Sequence, residues 1–117
     1  MIQTSVDVSH NLVIFKNKAS GTITTIDAAY RLVKRQFETF GPVKLLVDWT
    51  EYQGMEDSPH AARRILEGTE FIDRLAIVVD PAWKQEADFW LRLLDGKPAK
   101  RFDSADRDAA IAWLIGN

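Results

Sequence analysis

Two uninterrupted apolar runs, Leu45-Leu46-Val47 and Leu75-Ala76-Ile77-Val78-Val79, constrain this chain more than any other feature. Each is short and bounded by turn signals. Neither alternates, so each reads as a strand buried on both faces. A helical pattern lies between them, and another follows the second. Strands of this kind separated by helices specify a largely parallel sheet with helical crossovers.

The flanking segments extend this order. Ile2 to Val8 and Leu12 to Ala19 read as two strands joined through a Ser9-His10-Asn11 turn, which adds an antiparallel edge. Thr24 or Thr25 can cap a helix running to about Phe40, with Asp27 completing a capping box. Ile26, Tyr30, Val33 and Phe37 form its apolar face, and Gly41-Pro42 stops it. Val43 to Trp49 is the next strand. A polar, aromatic loop then leads to Ser58, read as the cap of a second helix opened by Pro59. A strand from Leu75 to Asp80, a helix from about Ala82 to Leu94, a strand from Ala99 to Phe102 and a helix capped by Ser104 complete the chain. The expected order is β-β-α-β-α-β-α-β-α, one α/β domain over residues 1–117.

With 117 residues the chain is long enough for a core without covalent staples. It has no cysteine, which excludes disulfides, thiol catalysis and thiolate metal sites. The net charge of -2 offers no field for nucleic acid. No apolar stretch approaches the roughly 20 residues of a membrane span, and no secretory signal opens the chain. The expected location is therefore cytoplasmic.

The segments Val43-Lys44-Leu45-Leu46-Val47-Asp48, Tyr52-Gln53-Gly54, Ile72 to Asp80 with Trp83, Phe102-Asp103 and Ala109 to Leu114 together resemble the SpoIIAA-like family of the STAS-domain superfamily. The resemblance implies a mixed, mostly parallel five-stranded sheet flanked by four helices. It also implies a regulatory interaction module with a protein partner. In the signalling members a serine at a helix start is phosphorylated by a partner kinase, and Asp57-Ser58 looks like that pair.

The candidate site lies where strands run into helices, the usual binding edge of a parallel sheet. Asp48, Trp49, Tyr52, His60, Asp80, Trp83 and Lys84 are its crevice residues, an aromatic lining with a few polar groups suited to a small apolar or lipid ligand. The competing reading has the rings merely covering the sheet end. Asp48, His60 and Asp80 are also the groups a small enzyme would use, but no complete catalytic set accompanies them, and no cofactor is implied. His60 with Asp48, Asp57 or Asp80 matches no metal-ligand spacing. Ser58 reads as a helix cap or as a phosphosite.

The third helix carries more apolar surface than one stripe requires. Trp83, Ala87, Trp90, Leu91 and Leu94 make the stripe, and Phe89 and Leu93 extend it. Phe89, Trp90 and Leu93 are thus candidates for a partner surface, most simply in a homodimer, or for a lipid-facing one. Asp88 and Asp95 oppose a strongly basic, membrane-seeking face.

Overall fold

The computed structural model describes residues 2–94 and 96–116. Its elements are β1 (Ile2–Asp7), β2 (Leu12–Gly21), α1 (Ile23–Phe40), β3 (Val43–Met55), α2 (Ser58–Gly68), β4 (Ile72–Val79), α3 (Lys84–Arg92), β5 (Ala99–Asp103) and α4 (Arg107–Ile115). This is the expected order. The sheet runs β1-β2-β3-β4-β5, with β1 antiparallel to β2 and every later pairing parallel.

The strand order never reverses. Crossovers of one hand that step in one direction place their helices on one face, and α1, α2 and α3 do share a face. Their Val33, Ala61, Ala87 and Trp90 pack with Val13, Phe15, Leu45, Leu75, Ile77 and Val79 of the sheet. Among the described residues α4 alone covers the other face, where Ala110 and Leu114 meet Leu12, Leu46, Ala76 and Val78. The apolar runs Leu45-Leu46 and Leu75 to Val79 are buried throughout because successive residues enter these two cores in turn.

Several local expectations are corrected. Thr22, not Thr24 or Thr25, caps α1: its hydroxyl accepts the Thr25 N–H at 3.1 Å, and Thr25 Oγ1 accepts the Thr22 N–H at 2.9 Å. Asp57, not Ser58, caps α2 by accepting the His60 N–H at 3.0 Å. Pro81 opens a separate 3₁₀ turn, Pro81–Trp83, before α3 begins. Ser104 likewise opens a 3₁₀ turn, and Asp106 precedes α4 without a side-chain cap.

The largest correction concerns β3, which continues through the expected loop to Met55. Its pairing with β2 slips twice, Lys16↔Asp48 to Lys18↔Glu51 and Ala19↔Tyr52 to Gly21↔Met55. Each slip places one extra residue on β3, which is a bulge, and a bulge re-aims the side chains beyond it. Gly54 has φ +109°, a backbone conformation that favours glycine.

Candidate functional site

The bulges decide which side chains of β3 meet. In a regular strand Trp49 and Tyr52 point to opposite faces. The extra residue brings them to one face, where their rings stack with centroids 3.9 Å apart and planes 8° apart. Trp83 adds an edge-on contact to Tyr52 at 4.9 Å. The Tyr52 hydroxyl donates to Glu86 Oε2 on α3. Burial, then this bond and the Glu86 charge, hold the phenol well above its ordinary pKa. The three expected aromatics thus come together as a packed stack that ties β3 to α3.

The polar residues expected beside them go elsewhere. Asp48 is 3 % exposed, and it sits on the α4 side of the sheet. Its Oδ1 accepts the Thr50 N–H at 2.9 Å and the Thr50 hydroxyl at 2.8 Å, and its Oδ2 lies 3.5 Å from Arg107 Nε. Asp80 follows β4 and makes no side-chain cap bond to the turn after it. Lys84 Nζ lies 3.5 Å from Asp103 at the end of β5. His60 Nε2 is 2.7 Å from Asp27 Oδ1, so it donates to that carboxylate.

Asp27, expected to complete the α1 capping box, is instead the centre of a small cluster. Asp27 on α1 also accepts from Arg64 Nε at 2.9 Å. The His60 bond, and then Arg64, hold the Asp27 carboxyl below its ordinary pKa. His60 and Arg64 stand one helical turn apart on α2, which was the available signal for a shared partner. Arg64 also lies over the Tyr30 ring at 4.7 Å and 3.7 Å from Glu67.

Of the seven expected residues, Trp49, Tyr52 and Trp83 come together, while Asp48, His60 and Lys84 engage partners elsewhere. Space opens instead beneath the helices. A chamber of about 160 Å³ lies between the sheet and α1, α2 and α3. Its wall includes Phe15, Asn17, Tyr30, Val47, Trp49, Ile65, Trp90 and Leu91. Of the seven expected residues only Trp49 lines it. It exists because α1 packs on α2, whereas among the described residues no comparable packing joins α2 to α3. Gly68 on α2 and Ala29 on α1 are small residues of its lining, and a Cβ at Gly68 would meet the Tyr30 ring at 3.6 Å.

The chamber also corrects the reading of α3. Trp90 is 4 % exposed and belongs to the core and chamber wall, not to an outer surface. Phe89 is 46 % exposed, and Leu93 is partly buried. Asp95 lies outside the described residues. Ser58 is exposed at the first position of α2. Among the described residues, no three His, Asp or Glu side chains are grouped to hold a metal ion, and no helix is long and apolar enough to cross a membrane.

Two solved structures share the architecture. An uncharacterized protein of the DUF3478 family with a SpoIIAA-like fold, from Shewanella loihica PV-4, matches with TM-score 0.70 and 20 % identity, over 97 % of this chain and 92 % of that one. The anti-sigma factor antagonist SpoIIAA in its unphosphorylated form matches with TM-score 0.70 and 10 % identity over 100 % of both chains. No curated protein matches in sequence. The SpoIIAA-like family model matches residues 14–115, and on that match, with the fold it specifies in place, the chain belongs to the SpoIIAA-like family.

Proposed function

We propose that this protein is a non-catalytic regulatory module that takes a small apolar ligand into the chamber and a protein partner on its outer surface. The chamber carries the reading. Apolar space of about 160 Å³, partly open to solvent and bounded by Phe15, Tyr30, Trp49, Ile65 and Trp90, is surface that a small apolar ligand would cover. A cavity of about 150 Å³ with similar walls takes up benzene. The groups a hydrolytic site would need are separated and engaged: Asp48 with Thr50 and Arg107, His60 with Asp27.

For the partner surface the support is Phe89, exposed on α3 while its neighbour Trp90 is buried. A second copy of the chain is the simplest occupant. Ser58, relieved of capping by Asp57, is an accessible hydroxyl at a helix start, where a phosphate would be electrostatically favoured.

Native mass spectrometry in gentle and then denaturing conditions tests this. The expected result is uptake of one molecule of added toluene per chain, lost on denaturation, with a dimer that Phe89→Ser converts to monomer. Absence of uptake at millimolar toluene would remove the ligand reading. A monomer at tens of micromolar would remove self-association.

A further inference from the structure

Apart from Arg64, the chamber wall is apolar except for a few groups without a hydrogen-bond partner. Asn17 sits at the first bulge of β2 against β3, on the chamber side. It is 5 % exposed, and its side chain makes no hydrogen bond within the described residues. The indole N–H groups of Trp49 and Trp90, both on lining rings, are buried without a partner. Buried polar groups are normally satisfied, and an orphan is the exception that calls for an explanation. Here the two indoles share that condition, and the Asn17 amide, also without a hydrogen bond among the described residues, lines the same chamber. Together they offer the two N–H groups of the Asn17 amide, two indole donors and a single acceptor, the Asn17 carbonyl oxygen.

Charge narrows the ligand further. Arg64 is the cationic residue of the chamber wall, and it is already bonded to Asp27 and 3.7 Å from Glu67. An ionised headgroup would leave water for a chamber whose cation is already neutralised by two carboxylates. An uncharged oxygen faces no such penalty.

We infer that the chamber selects a small, uncharged, apolar molecule bearing one oxygen acceptor, such as an alcohol, ketone or amide, and that Asn17 is the residue that reads the oxygen. This rests on the ligand-binding reading above and adds the ligand's chemical class. Benzyl alcohol, toluene and benzoate form a matched probe series of similar size. Their dissociation constants are to be measured on the full chain and on Asn17→Leu, which keeps the branching and removes the amide.

The preference for benzyl alcohol over toluene is expected to be about five-fold greater in the wild type than in Asn17→Leu, the value of roughly one neutral hydrogen bond. Benzoate is expected to bind at least ten-fold more weakly than benzyl alcohol. In the wild type, benzyl alcohol should move the Asn17 side-chain amide protons further downfield than toluene does, a readout independent of the variant's folding. If none of the three binds, the chamber reading itself fails and this inference falls with it. An unchanged alcohol-to-toluene ratio, or Asn17 amide protons no further downfield with benzyl alcohol than with toluene, would overturn the role of Asn17 while leaving the chamber standing. Tightest binding by benzoate would overturn the uncharged class.

Discussion

Ala29→Leu is the perturbation that most directly asks whether the chamber is unfilled. Ala29 lies on α1 and lines the space between that helix and the sheet. Leucine adds three carbons. At about 0.8 kcal/mol per buried methylene they contribute roughly 2.4 kcal/mol. Fixing the leucine side chain costs about 0.5–1 kcal/mol of that, and the loss of helix propensity is small. The variant should therefore be more stable than the wild type by about 1–2 kcal/mol. In urea, with a slope near 2 kcal/mol/M, the midpoint should rise by roughly 0.5–1 M at unchanged slope. Toluene affinity should fall at least ten-fold in the same variant, since the added carbons occupy the ligand's space. The sign decides the matter. Inserting three carbons into a filled core typically costs about 1–3 kcal/mol, so destabilisation of that size would refute the reasoning that space exists there.

Three further outcomes follow from the polar contacts and the backbone. Because Asp27 titrates below its ordinary value of 3.8, the His60 and Arg64 contacts stabilise the fold above that pH, and the contribution is lost as pH falls further; Asp27→Asn should show a flatter acid limb in urea titrations between pH 5 and about 2. Tyr52→Phe should cost about 2 kcal/mol at neutral pH, the worth of a buried bond to a carboxylate. Since Tyr52 titrates above its ordinary 10.0, the wild type should lose stability above pH 10 that the variant does not. Ala19 has φ +60°, which costs a side-chain-bearing residue about 1–2 kcal/mol; Ala19→Gly should be neutral or stabilising by up to about 1 kcal/mol in the same assay, and clear destabilisation would mean the methyl group is needed.

The sequence carried the architecture because its signals were local and agreed with one another. The unbroken runs at Leu45 and Leu75 marked central strands, and the Tyr30-Val33-Phe37 spacing marked a helix on the sheet. The site was less legible for a specific reason. Trp49 and Tyr52 share a face only because β3 carries an extra residue against Lys16–Lys18, and nothing in the residues around Thr50 announces a bulge. Asp48 was grouped with Trp49 although neighbours on a strand point oppositely, and it lies with Arg107 on the far face. The chamber depends on how far α2 stands from α3, a tertiary distance with no periodicity behind it. Asn17 gave one hint: an amide in the middle of the apolar alternation of β2, facing the same way as Val13 and Phe15.

The central question is whether a small apolar molecule enters beneath the helices. Titration of isotopically labelled protein with benzyl alcohol, followed by ¹H–¹⁵N spectra, observes that event at identified positions. Saturable shifts are expected at the indole N–H groups of Trp49 and Trp90, at the Asn17 amide and at the backbone of Ile65 and Leu91. Shifts confined to the exposed side of α3 around Phe89, with Trp49 and Trp90 unmoved at saturation, would contradict entry into the chamber.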